Sequence, residues 1–124
     1  MKAILLIRVS TVAQDYEAQK NDLIKYAITK GYGENDLYVI EDKESAIKLS
    51  EEERHGLNEL KDVVADDSSY NAVFVWEISR LARTEKVLHS IKEWLLSNKI
   101  NLYIFDKQYQ LLNPDGTLNG ETEL

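Results

Sequence analysis

The sequence predicts an α/β domain: a three-layer, open, mostly parallel sheet with helices on both faces. Three observations carry this. Apolar runs at 2–8, 37–40, 72–76 and 101–105 are continuous rather than alternating, as in strands covered on both sides. Between them lie three stretches whose apolar residues recur at helical spacing. Strand and helix then alternate along the whole chain, the pattern of parallel strands joined by crossover helices.

Taken in order, the first strand is built on Ala3-Ile4-Leu5-Leu6-Ile7. The first helix covers 14–30, with Leu23, Ile24, Tyr26, Ala27 and Ile28 at helical spacing, and Gly31-Tyr32-Gly33 ends it. After the second strand, Ser50 opens the second helix, with Glu53 three residues on as a capping box. Leu57, Leu60, Val63 and Val64 are its stripe, and Asp66-Asp67-Ser68-Ser69 is the turn into the third strand. Thr84 begins the third helix, where Val87, Leu88, Ile91, Trp94 and Leu95 share a face. Residues 107–124 contain Pro114-Asp115-Gly116 and Asn119-Gly120, show no period, and read as a loop without a closing element. No internal repeat breaks this plan, so residues 1–124 are expected to form one domain.

An apolar content of 44% excludes a disordered chain. With no cysteine there are no disulfides, no thiolate metal sites and no cysteine nucleophile. The apolar run after Met1-Lys2 is too short for a signal peptide, and no stretch approaches the roughly 18 apolar residues of a membrane span. The expectation is a cytoplasmic protein with no membrane partner. Net charge is −7, from 15 basic and 22 acidic residues, which read alone argues against a nucleic-acid binder. The distribution matters more. Only Arg8, Arg54, Arg80 and Arg83 are arginine, and every other cation is lysine, a weaker bidentate ligand for phosphate.

Open α/β sheets bind ligands beyond the carboxyl ends of their strands. Those ends offer Arg8 and Ser10, then Asp42, Lys43 and Ser45, then Glu77, Ser79 and Arg80, and finally Asp106. Arg8 and Ser10 are two apart, so in an extended strand they face the same way. Arg80 and Arg83 are three apart, neighbours on a helical turn. A hydroxyl among guanidinium groups suits phosphoryl transfer, where the arginines hold the phosphate and offset its growing charge. Each residue also has a bland reading. Ser10 or Thr11 caps the first helix, with Thr11 and Gln14 as a capping box. Arg80 and Arg83 pair on the surface with Glu77 or Glu85, Arg54 sits on a solvated face among Glu51, Glu52 and Glu53, and Asp42 and Asp106 are loop acids. His55 and His89 have no partner at ligand spacing, so no metal is expected, and Trp76 and Trp94 read as core.

Arg8-Val9-Ser10-Thr11 with Gln14 and Gln19, Asp42-Lys43 with Ser45, Arg54 with Gly56-Leu57, and Ser79-Arg80-Leu81-Ala82-Arg83 come in a telling order. Over residues 2–118 they resemble the signature of the resolvase/invertase family of serine recombinases. The resemblance implies the catalytic-domain fold of that family and site-specific DNA recombination. Ser10 would attack the scissile phosphodiester, giving a 5′-phosphoserine link and releasing a 3′ hydroxyl. Arg8, Arg80 and Arg83 would cradle the phosphate and Arg54 would assist. Gln14, Gln19, Asp42, Ser45 and Ser79 would be supporting residues. Strand exchange and religation would need neither ATP nor metal, so no cofactor is expected. The partners would be DNA at a recombination site and further copies of the full-length protein, as homodimer and tetramer. Residues 1–124 would be a catalytic domain truncated before a dimerisation helix and a DNA-binding domain, with the fragment itself inactive.

The sequence departs from the family at Ser79, where an acid commonly precedes the first arginine of the Arg-Leu-x-Arg element; the nearest acid is Glu77. Ser10 also lacks an evident base, since no histidine is placed to serve. The expected substitute is electrostatic, with guanidinium groups favouring the alkoxide and Asp106 or Asp42 positioning an arginine. Two other readings stand beside this one. A receiver-like phosphoacceptor would suit Asp42 and Asp106 but wants paired acids where Arg8 and Ser10 stand. A non-catalytic module would keep the fold without the activity.

Overall fold

A computed structural model describes residues 1–9, 13–43, 55–82 and 84–119. The described elements are β1 (Lys2–Val9), α1 (Ala13–Thr29), β2 (Leu37–Lys43), α2 (His55–Asp66), β3 (Tyr70–Val75), α3 (Glu85–Ser97), β4 (Asn101–Ile104) and β5 (Tyr109–Gln110). The strands form one sheet in the order β2-β1-β3-β4-β5, parallel from β2 to β4 and antiparallel at β5. This is the three-layer, mostly parallel arrangement that the sequence predicts.

Side chains alternating along each strand divide the core in two. Ile4, Leu6, Val73, Val75, Leu102 and Ile104 point to one face, where Leu57 and Leu60 of α2 and Val87, Ile91 and Leu95 of α3 cover them. Ala3, Leu5, Ile7, Ala72 and Phe74 point to the other, under Leu23, Tyr26 and Ala27 of α1. The first face is aliphatic. The second is aromatic, and Tyr26 meets Phe74, Tyr103 and Phe105 edge to face at 5.6, 6.0 and 5.7 Å between ring centroids. Trp76 and Trp94 are half-buried against the two cores, in line with their sequence reading.

The helix ends follow from their residues. Gly31 takes a left-handed φ of 96°, letting the amides of Gly31 and Tyr32 donate back to Ile28 and Ala27 at 3.0 and 3.2 Å. Thr84 caps α3, its hydroxyl accepting from the amide of Val87 at 3.2 Å. The proposed cap of the second helix, Ser50 with Glu53, lies outside the described residues.

The structure corrects two boundaries. β2 runs three residues past its apolar run, pairing Glu41, Asp42 and Lys43 with Ile7, Arg8 and Val9. It is an edge strand, so charged residues there need not be buried on all sides. Residues 107–119 are not merely a loop. β5 pairs with β4, Leu111 is fully buried, and a bridge between Leu112 and Leu118 closes a hairpin around Pro114-Asp115-Gly116. A two-residue strand is too short to show a period. In the hairpin the Asp115 carboxylate accepts from the hydroxyl and amide of Thr117 at 2.6 and 3.0 Å, which lowers its pKa. Among the described residues no helix is long and apolar enough to cross a membrane.

Candidate functional site

The carboxyl end of β1 sets the site. Arg8 continues the row of Ile4 and Leu6, so its half-buried side chain leaves the sheet on the face covered by α2 and α3. Asp42 stands opposite Arg8 in the β1–β2 register.

Beyond β3 the chain passes through Trp76 and Glu77 into a 3₁₀ turn, Ile78–Arg80. The amides of Leu81 and Ala82 both donate to the Ile78 carbonyl, at 3.0 and 3.1 Å. Leu81 is fully buried and Ala82 nearly so, both in the aliphatic core. The middle of the Arg80-Leu81-Ala82-Arg83 element is thus a hydrophobic anchor that seats the Arg80 turn against β1. That turn and the Arg8 side chain lie on the same face of the sheet.

Ser79 is half-buried, and its hydroxyl donates to Glu77 Oε1 at 2.6 Å. The ladder between β3 and β4 extends beyond the strands, with the amides of Phe105 and Asp106 donating to the carbonyls of Val75 and Trp76 at 3.0 and 2.9 Å. The Asp106 side chain is exposed.

α1 carries two more candidates, Gln14 and Gln19. Gln14 lies in its first turn. Gln19 is one turn ahead of Leu23 on the inward face, only 6% exposed, and its Oε1 has no hydrogen-bond partner among the described residues. Leaving a buried amide oxygen unpaired costs about 1–3 kcal/mol, which an apolar residue at the same position would avoid. Tyr16 continues the same inward stripe and donates its hydroxyl to Glu41 Oε1 at 2.5 Å, tying the start of α1 to the end of β2. Burial first, then the bond to Glu41, pushes the Tyr16 hydroxyl up to about 12. Sequence reasoning passed over Tyr16, although its spacing of three from Gln19 and seven from Leu23 is a legible signal.

Among the candidate residues, Arg8, Asp42, Ser79 and Arg80 stand at the carboxyl ends of neighbouring strands, and Gln14 and Gln19 on the adjoining helix. Ser10, Ser45, Arg54 and Arg83 lie outside the described residues, as do the side chains of Gln14, Asp42 and Arg80. Among the described residues no cluster of three acids or histidines is arranged to hold a metal.

The family described as "Resolvase, N terminal domain" matches residues 3–120. Among solved structures, the N-terminal catalytic domain of TP901-1 integrase superimposes with a TM-score of 0.73 at 22% identity, covering 94% of this chain and 86% of that one. A resolvase family site-specific recombinase from Streptococcus pneumoniae superimposes with a TM-score of 0.63, also at 22% identity, covering 89% of this chain and 75% of that one. At such identity these two structures speak for the fold. A search of curated protein sequences returned no match.

Proposed function

The chain belongs to the resolvase N-terminal domain family of serine site-specific recombinases, and from that premise we propose that Ser10 is its nucleophile toward DNA. The observation that carries this reading is the shared face. Arg8 leaves β1 on the side where the buried Leu81 and Ala82 seat the Arg80 turn. Two residues of the type that binds phosphate bidentately thereby belong to one face at the carboxyl ends of neighbouring strands.

In the proposed reaction the Ser10 hydroxyl attacks the scissile phosphorus, forming a serine–phosphate bond. The bond to the 3′ oxygen breaks, and that oxygen leaves with the electron pair and takes up a proton, while the serine proton passes to a base. Arg8, Arg80 and Arg83 hold the phosphate in line and offset the charge on its free oxygens, with Arg54 assisting. Gln14, Gln19, Asp42 and Ser45 support this arrangement. The reverse attack by a 3′ hydroxyl reseals the strand, and the phosphoester keeps the bond energy, so the steps balance without ATP or metal. On this reading residues 1–124 are a catalytic domain. Dimerisation, tetramer formation and tight DNA binding rest with the full-length protein, which accounts for the acidic balance of this part.

The test is to incubate the full-length protein with fragments of the genome that encodes it, quench with detergent, and map covalent protein–DNA ends. Adducts on Ser10 that vanish in Ser10→Ala support the reading. Adducts that persist in Ser10→Ala overturn the nucleophile, and no adduct on any fragment overturns the catalytic reading in favour of a non-catalytic module.

A further inference from the structure

We propose that the concavity at the amino end of the sheet is a binding site for a phosphate group, held by Lys30, Lys99 and the side-chain amides of Asn71 and Asn101. It lies at the far end of the strands from Arg8 and does not depend on the recombinase reading.

The first support is composition. The concavity has a volume of about 360 Å³, within the usual range for small-ligand sites. Its walls come from the end of α1, the starts of β3 and β4, and the β5 hairpin. They hold two lysines and no aspartate or glutamate. The chain carries 22 acidic against 15 basic residues, so a wall without a carboxylate runs against its own balance. Asp115, between the lining residues Pro114 and Gly116, is already engaged, its Oδ1 accepting from the amide and hydroxyl of Thr117.

The second support is hydrogen bonding. Asn101 Oδ1 accepts from the amides of Leu102 and Leu112 at 2.9 and 2.8 Å, so its NH2 is what remains for a ligand. That NH2 stands 3.4 Å from the Leu112 carbonyl, a long bond to an oxygen that Gln110 Nε2 already holds at 2.7 Å. Asn71 repeats the pattern. Its Oδ1 accepts the Tyr32 hydroxyl at 2.7 Å, and its NH2 meets the Met1 thioether at 3.0 Å, a weak acceptor. Both side chains therefore have N–H donors to offer, and a phosphate oxygen is a stronger acceptor than either present partner.

The third support is the pair of lysines. Lys30 Nζ lies over the rings of Tyr26 and Tyr103, 5.5 and 5.8 Å from their centroids, which holds the ammonium in place. Among the described residues neither Lys30 nor Lys99 forms an ion pair. Lys99 takes the left-handed position that closes α3, φ 56°, where its amide and that of Ile100 donate to Leu96 and Leu95 at 3.2 and 2.9 Å. Gly31 fills the same position at the end of α1, and glycine fits it without strain. A lysine there is the poorer choice for the backbone, but it puts a cation on the wall of the concavity. Offsetting the negative helix ends explains only part of this charge. Each end carries about half an elementary charge against a full one on each lysine, so two lysines overcompensate two helix ends.

The test uses full-length protein labelled with ¹⁵N-asparagine, titrated at constant ionic strength with inorganic phosphate. The side-chain NH2 resonances of Asn101 and Asn71 should move saturably, with half-saturation at about 1–5 mM. Lys30→Gln and Lys99→Gln should each weaken binding about threefold, and the double variant about tenfold. Lys99→Gly should raise the urea midpoint while weakening phosphate, because it relieves the backbone and removes the cation. Acetate, with a single charge, should bind at least about threefold more weakly than phosphate. Adenosine 5′-monophosphate and a short DNA duplex then identify the source of the group. Tighter binding of the monophosphate assigns a small phosphate monoester, and duplex-induced shifts that the double variant abolishes assign the DNA backbone. NH2 resonances unmoved by every probe up to about 20 mM, acetate equal to phosphate, or undiminished binding in the double variant would overturn the proposal. So would wild-type affinity in Lys99→Gly, a variant whose backbone favours the fold. The outcome is the same whether or not Ser10 forms an adduct.

Discussion

The two ends of the sheet treat their polar residues differently. At the amino end several of them are paired within the fold. Lys2 Nζ pairs with Asp67 at 2.9 Å, and the Tyr32 hydroxyl donates to Asn71 at 2.7 Å. Asn101 Oδ1 accepts from the amides of Leu102 and Leu112 at 2.9 and 2.8 Å, fastening the β5 hairpin to β4. At the carboxyl end Arg8 is half-buried, Gln19 Oε1 is buried without a hydrogen bond among the described residues, and Glu77 accepts the Ser79 hydroxyl. Among the described residues the amino end pairs these groups within the fold, while the carboxyl end keeps the Gln19 amide oxygen buried and unpaired at some cost. That cost is expected where a ligand is to be bound.

The largest effect that would break this contrast is at Arg8. Arg8→Lys keeps the charge and the stem but loses the planar fork, and should slow Ser10 adduct formation by about a hundredfold. Its urea midpoint should barely move. A near-normal rate in Arg8→Lys would mean that the carboxyl end does not hold phosphate through this residue. Next in size is Tyr26, which lies between the ends and belongs to neither. Tyr26 is 6% exposed and meets three aromatic rings, so Tyr26→Ala should lower stability by about 3 kcal/mol in urea denaturation. Tyr26→Phe should cost less than about 1 kcal/mol, because the ring contacts survive.

The sheet was legible because its strands are covered on both faces, which forces Ile4 to Ile7 and Ala72 to Val75 to be apolar without interruption. The helix stop at Gly31 and the helix start at Thr84 were legible because left-handed backbone and a capping hydroxyl each demand particular residues. β5 was not, since two residues carry no period and the chain just past it is fastened by Asn101, whose Oδ1 accepts from the amide of Leu112 eleven residues away. Charged Glu41 to Lys43 hid the end of β2 for the opposite reason, that an edge strand tolerates charge. At the site, Arg8 and the Arg80 turn were found from their place after strands and from the family signature. Tyr16 was missed because its role is a pairing with Glu41 on another element, and the bond between Glu77 and Ser79, two candidates named from their place after β3, is likewise one that no single-residue reading displays.

A pair of tyrosines sharpens the contrast further. Tyr16, beside the carboxyl end, and Tyr32, beside the amino end, both have hydroxyl pKa values raised from 10.0 to about 12, in each case chiefly by burial. A raised tyrosine pKa means that the folded state holds the proton more tightly. The stability it contributes is complete below 10 and is lost as pH rises from 10 to about 12. Tyr16→Phe and Tyr32→Phe should each remove part of that alkaline loss in melting curves. Only Tyr16→Phe should also slow adduct formation, by about threefold, through loss of the tie between α1 and β2. Equal effects of the two variants on the adduct would erase the distinction between the ends.

The smallest effect is at the Lys2–Asp67 pair, which lies at the surface. The bond from Lys2, with a further one from the Ser69 amide at 2.8 Å, draws the Asp67 carboxyl from 3.8 down to about 2. A depressed carboxyl contributes stability that is present above 3.8 and is lost as pH falls toward about 2. The same contact raises the Lys2 pKa, so its share is present below the ordinary lysine value of 10.5 and fades as pH rises through the raised one. Asp67→Asn should therefore flatten the acid limb of the melting temperature between 3.8 and about 2 and leave the neutral region nearly unchanged. Salt should reproduce much of that flattening in the wild type, because an exposed pair is screened within about 10 Å at 0.1 M. Ser10 adduct formation should be indifferent to Asp67→Asn, since the pair sits at the opposite end of β1 from Arg8. A slowed adduct in this variant would show that the amino end nonetheless reports to the chemistry at the other.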